Sequence, residues 1–161
     1  MKLTTRSRYG TRMVLDIALN QGQGPVRVCD IARRQDLSVK YLERLIGELK
    51  RAGFIKSRRG PKGGHMLARP MSEITVGEIV RVLEGGIEVI GCGTDVKSCP
   101  RAEVCLTRKA WMRAGRALYT ELDSITVADL IKDAQACPRA ENGEASAPPA
   151  PARPASDKDR T

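Results

Sequence analysis

The sequence is poor in aromatic residues, with one Phe, one Trp and three Tyr among 161 residues, so Leu, Ile, Val and Ala must fill most of any core. It has a single His, His65. No apolar run reaches membrane-spanning length, which argues against a spanning helix and a membrane partner. The opening MKLTTRSRYGTR lacks the apolar core of a signal peptide, so a cytoplasmic protein is expected. Also missing are a nucleotide-binding glycine loop, paired catalytic carboxylates, a C-x-x-C motif and a His beside any Cys. Those absences argue against an enzyme, including one that would use its thiols for redox or persulfide chemistry.

What the chain does have is positive charge, concentrated in one half. Residues 1–69 hold 16 Lys/Arg against 5 Asp/Glu, a net of +11, whereas residues 70–137 hold 8 against 10, a net of −2. The last 24 residues are balanced at 4 against 4. A polyanion is the natural partner for the first half, most often nucleic acid. An acidic protein partner is the competing reading.

Hydrophobic periodicity organises that half. Tyr9, Met13, Val14, Ile17 and Ala18 recur at helical spacing, predicting a helix over Ser7–Asn20 that ends at the Gly22–Pro25 breaker. A short helix follows over Val28–Gln35, then a turn at Asp36-Leu37. Ser38 is a suitable N-cap for a third helix whose buried face would be Tyr41, Leu42, Leu45, Ile46 and Leu49, with Gly53 ending it. Two strands, Phe54–Ser57 and His65–Ala68, flank RRGPKGG, a stretch suited to a sharp hairpin. Thr75 and Glu78 form a capping-box pattern opening a helix over Val76–Leu83. A long helix is expected from Pro100 or Val104 to Leu122, with Trp111, Ala114, Leu118 and Leu122 on one side, and a short one over Val127–Ala136 after Thr126. So long a helix late in a small chain has little core to cover it and reads as a dimerisation element.

The fold class expected is mainly α: a winged helix-turn-helix with a two-stranded wing, plus a long C-terminal dimerisation helix. The organisation expected is a DNA-binding domain over 1–84, a cysteine loop over 85–105, dimerisation and final helices over 106–137, and a Pro/Ala/Ser-rich disordered tail over 138–161. In such a fold the recognition helix reads base edges in the major groove while the wing and helix ends grip phosphates. Ser38, Lys40, Tyr41, Glu43 and Arg44 fall on the start of the recognition helix, although Tyr41 also fits a partly core role. Arg58, Arg59, Gly60, Lys62 and Gly63 form the wing tip, where an Arg can enter a narrow minor groove. Glu43 can accept from cytosine N4 and repels phosphate, which favours selectivity over affinity.

The second cluster of interest is GCGTDVKSCPRAEVCLTR, with Cys92, Cys99 and Cys105 spaced C-x6-C-x5-C. Thiolates suit an iron–sulfur cluster, zinc or Cu(I). The spacing lacks the C-x2-C pairs of a zinc knuckle, and the loop has no His. Zinc therefore remains a secondary reading, and three metal-free reduced thiols remain the plain alternative.

Three stretches, MKLTTRSRYGTRMVLDIALN, SVKYLERLIGELKRAGFIKSRRGPKGGHMLARP and ITVGEIVRVLEG, resemble the Rrf-two family of dimeric bacterial winged-helix regulators and its IscR-like iron–sulfur members. The likeness extends over roughly residues 1–135. It implies a homodimer on a pseudo-palindromic double-stranded DNA operator, with Arg59 on the wing in the minor groove. The position of Glu43 is associated in the family with discriminating operator types. It also implies that Cys92, Cys99 and Cys105 hold a 2Fe-2S or 4Fe-4S cluster. The chain departs from the family at the fourth ligand: Arg108 stands where IscR-like members have His, and Arg8 where other relatives have a carboxylate. Arg is always protonated and cannot ligate iron. Asp95, Glu103, Asp16, Cys29, water or a small thiol are the remaining candidates. His65, on the wing, fits a structural or phosphate-facing role better. Cys137 has no nameable partner.

Overall fold

The computed structural model describes residues 3–85, 99 and 101–136. Cys92, Asp95, Cys137 and the expected disordered tail lie outside the described residues. The chain forms α1 (Thr5–Asn20), α2 (Val28–Gln35), α3 (Val39–Arg51), β1 (Ile55–Arg58), β2 (Gly64–Leu67), α4 (Val76–Glu84), α5 (Leu106–Ser124) and α6 (Val127–Ala136). Single 3-10 turns occur at Gln21–Gln23 and Met71–Glu73. It is the expected mainly helical winged helix-turn-helix with a two-stranded antiparallel wing and a long helix after it.

The helix boundaries follow from caps. Ser38 accepts a hydrogen bond from the Tyr41 N–H and opens α3. Thr75 and Glu78 satisfy each other's backbone N–H groups at the start of α4, and Thr126 with Asp129 does the same for α6. Each such cap stabilises its helix by about 1 kcal/mol. Asp36, at φ 52°, turns the chain between α2 and α3.

Met13, Val14 and Ile17 of α1, Ile31 of α2, Leu42, Leu45 and Leu49 of α3, Ile55 of β1, and Ile79 and Leu83 of α4 are fully buried in one core. Val127 of α6 is buried in that same core, so the chain returns after α5 to finish the winged-helix body. Full burial of each aliphatic side chain contributes roughly 1.5–3 kcal/mol.

Most helix ends fall within two residues of the periodicity reading, and the wing strands and the start of α5 also differ from it. The wing ladder pairs Ile55 with Leu67 and Arg58 with Gly64, one residue displaced from the expected strands. Phe54 is drawn into the core, and Gly64 enters the ladder where Val26 approaches so closely that a Cβ would lie 2.6 Å from its carbonyl oxygen. Helix α5 begins only after Cys105, because residues 101–104 are spent in turns closed by Ala102 N–H to Cys99 C=O and Val104 N–H to Arg101 C=O.

Candidate nucleic-acid interface and cysteine site

Burial of Leu42, Leu45, Ile46 and Leu49 turns the opposite face of α3 outward, and Lys40, Glu43 and Arg44 are all exposed in its first two turns. Ser38 precedes them, with its oxygen engaged in the cap and its hydroxyl proton left for donation. Glu48, one turn after Arg44, accepts from Arg6 of α1 at 2.6 Å and lies 3.8 Å from the Arg44 guanidinium. Tyr41 is set apart from this face. Its ring is half-buried, edge-on to Tyr9 at 6.1 Å, and its hydroxyl oxygen is buried.

On the wing, Lys56, Arg58, Arg59, Gly60 and Lys62 are exposed, and Arg58, Arg59 and Lys62 enter no ion pair among the described residues. Gly60 takes φ 111°, a conformation costly for any other residue, and a Cβ on Gly63 would lie 2.4 Å from the Arg58 carbonyl oxygen. The apex is therefore tight backbone with cations projecting from it. His65 faces Ser57 across the ladder at 3.1 Å. Burial, and then the charge of Lys50, lowers its pKa against the opposing pull of Glu43, which favours the neutral imidazole.

Cys99 is exposed and Cys105 half-buried, and neither is in a disulfide. Cys105 is the residue immediately before α5, with Thr107 Oγ1 3.2 Å from its sulfur. That hydroxyl, then the Arg108 backbone N–H, holds the thiol below its ordinary pKa. Arg108 donates from Nη1 to the Ala102 carbonyl at 3.2 Å, bracing the turn that carries the cysteines. Among the described residues no three His, Cys, Asp or Glu side chains converge as a metal site.

The other candidate ligands differ in what already engages them. Asp16 is only 4% exposed and is already taken by Arg34, at 2.9 and 2.5 Å, and by Gln35 at 2.9 Å. Cys29 is exposed on α2, Glu103 is exposed beside Cys105, and Arg8 lies over the Tyr9 ring. Periodicity gave no warning of the Asp16–Arg34 pair, because its residues belong to different helices 18 positions apart.

Helix α5 joins the two sites. Its Gly115 and Tyr119 are buried, and Asp123 forms a two-bond pair with Arg81 of α4, one bond at 2.7 Å. Arg81 also lies over the Tyr119 ring at 4.6 Å. Backbone bonds Val76 N–H to Ile125 C=O and Val127 N–H to Ile74 C=O, both 2.9 Å, stitch the end of α5 to the start of α4. At the other end, Val104, Leu106 and Trp111 are 78%, 87% and 50% exposed.

Comparison with known proteins agrees with this geometry. The profile of the Rrf2 family, described as an iron-dependent transcriptional regulator, matches residues 3–133. Protein rrf2 of Nitratidesulfovibrio vulgaris is 50% identical over 139 residues, covering 86% of this chain and 93% of its own. The transcriptional regulator IscR of Klebsiella pneumoniae is 35% identical, covering 83% and 81%. Among solved structures, IscR of T. potens superimposes with a TM-score of 0.70 at 37% identity, covering 88% of this chain and 94% of that one. CymR, the global cysteine regulator of B. subtilis, does so at 0.68 and 36% identity, covering 83% and 98%. The helix-turn-helix, the wing, the long following helix and these likenesses across nearly the whole described fold agree: the chain belongs to the Rrf2 family of DNA-binding transcription regulators.

Proposed function

We propose that the protein is a homodimeric operator-binding regulator that senses iron–sulfur status, redox state or nitric oxide through a cluster held by Cys92, Cys99 and Cys105. The observation that carries this reading is the position of Cys105 at the free end of α5, whose other end is fixed to the DNA-binding body. The donor set fits: the thiols of Cys99 and Cys105 are not tied up in disulfides, and soft thiolates are the ligands that iron–sulfur clusters take. When bound, the cluster supplies redox- and nitric-oxide-reactive iron. Arg108 supplies no ligand, which leaves the fourth position to Asp95, Glu103, Cys29, water or a small thiol.

In this reading Lys40, Glu43 and Arg44 face base edges in the major groove, Ser38 donates to phosphate, and Arg58, Arg59 and Lys62 meet the minor groove and its phosphates. The bare residues Leu106 and Trp111 meet a second copy. Repacking of the cysteine turn shifts the base of α5 and, through its fixed far end, the spacing of the two α3 helices. Half-sites lie about one helical turn apart, roughly 34–36 Å, so reorientation changes affinity.

The test is anaerobic purification with iron and sulfide counts, then footprinting upstream of the protein's own gene. A brown protein with visible charge-transfer absorbance and a protected pseudo-palindrome are expected. A colourless protein with stoichiometric zinc would sink the cluster. A second reading, a metal-free regulator responding by thiol oxidation or to a small molecule, is favoured by the lowered pKa of Cys105 and by the likeness to Staphylococcus aureus CymR, including its oxidized form. A colourless, metal-free protein whose operator binding changes on peroxide treatment would select it.

A further inference from the structure

Arg27 is the residue before α2, yet its side chain does not cap that helix. Its Nη2 instead crosses 34 positions of sequence and donates to the Pro61 carbonyl oxygen, at the apex of the wing, at 2.7 Å. The wing needs such a tie. Its ladder has four residue pairs and stops at Arg58–Gly64, and a two-stranded ribbon is marginal by itself. Beyond it, the apex loop 59–63 closes with one turn bond, Gly63 N–H to Gly60 C=O at 2.8 Å. Among the described residues, Arg27 is the sole side chain outside the hairpin that bonds this loop.

Its neighbour completes the attachment. Val26 exchanges both backbone bonds with His65, at 2.9 and 2.8 Å, and its carbonyl seats against Gly64. Backbone thus holds β2 near the upper end of the ladder while the adjacent guanidinium holds the apex. Both ties come from the segment leading into α2, and α2 passes into α3 through a turn closed by Leu37 N–H to Ala32 C=O at 3.0 Å. The wing apex is therefore referenced to the helix-turn-helix itself.

We propose that Arg27 is a positioning residue for the wing: its bond to Pro61 fixes where Arg59 and Lys62 stand relative to Lys40, Glu43 and Arg44. Holding the loop in its binding geometry before DNA arrives removes an ordering cost from association. The proposal rests on the reading that the wing grips DNA, and it gives Arg27 an intramolecular task in place of a phosphate contact.

The test uses full-length protein carrying Arg27→Ala, Arg27→Lys, Arg59→Ala, and the Arg27→Ala/Arg59→Ala pair. Amide hydrogen exchange is measured without DNA, and affinity is measured across a salt series for a duplex spanning the footprinted site upstream of the protein's own gene. In Arg27→Ala, exchange within 59–63 is expected to rise while α1 and α4 stay protected, and affinity to fall roughly 3- to 10-fold, the scale of one hydrogen bond. The paired variant should lose less than the sum of the two single losses, since the Arg27 tie acts partly through Arg59, and Arg27→Lys should recover part of both effects. Unchanged exchange within 59–63 overturns the proposal. So do additive losses with a salt slope lowered by about one, the signature of a phosphate contact. If α1 and α4 also lose protection in Arg27→Ala, Arg27→Lys decides: exchange above the native level confined to 59–63 on an intact body supports the proposal, and native exchange there overturns it. If Arg59→Ala leaves affinity unchanged, the wing reading has failed, while exchange at 59–63 still decides the role of Arg27.

Discussion

The two ends of α5 are held very differently. Its C-terminal end has Tyr119 buried, Asp123 locked to Arg81, and backbone bonds on either side of Thr126 that tie it to α4. A Cβ on Gly77 would lie 2.0 Å from Asp123 Oδ1, so helix and body meet there without a gap. Its N-terminal end has turns, accessible thiols, and apolar side chains facing solvent. In the proposed regulator such a rod, fixed to the body at one end, would act as a lever. At 1.5 Å per residue, the 19 residues of α5 span about 28 Å, so events at Cys105 act far from the fixed end.

Four experiments would break or sharpen that contrast. The largest effect belongs to the bare end: Leu106→Asp with Trp111→Asp should leave a folded monomer by sedimentation. Losing the second half-site should weaken operator binding ~10²- to 10⁴-fold. At the fixed end, Gly77→Val forces a side chain against Asp123 and should cost about 1–3 kcal/mol in urea unfolding. Asp123→Asn should cost roughly 0–1 kcal/mol, since both partners are about a third exposed.

That last difference has a defined pH dependence. Hydrogen bonding from Arg81 holds the Asp123 carboxyl below its ordinary pKa. Its contribution is therefore present above the unfolded value, about 3.9, and is lost as pH falls through the folded one. Unfolding of the native protein and Asp123→Asn should differ at pH 6 and converge in acid. The smallest effect on stability is expected from Cys105→Ser, within about 0.5 kcal/mol, accompanied by loss of visible absorbance from anaerobically purified protein.

The contrast also marks what the sequence could disclose. Ser38, Thr75 and Glu78 announce their caps locally, and the stripe Leu42, Leu45, Ile46, Leu49 announces the orientation of α3 and with it the exposed reading face. Helix α5 is harder. Its visible stripe, Trp111, Ala114, Leu118, Leu122, contains none of its fully packed residues, which are Gly115 and Tyr119. A glycine and a polar-tipped aromatic carry little hydrophobic signal, and Arg81–Asp123 spans 42 positions with no period to reveal it. Arg27 was similarly silent, because its target is a backbone carbonyl, to which any sequence is blind. Cys99 and Cys105 were legible as a chemical type, whereas their place at the bare end required the fold.

One further bond gives the chain path a mechanical meaning. Glu84, at the end of α4, accepts from both the N–H and the hydroxyl of Thr4, at 3.0 and 2.8 Å. Burial disfavours its charge, yet hydrogen bonds from Ser7 and Thr4 outweigh that and keep the carboxyl below its usual range. The last residue of α4 thereby clasps the beginning of α1 across 80 positions, closing the DNA-binding body like a buckle. A pull on the chain beyond Glu84 would therefore load that buckle directly.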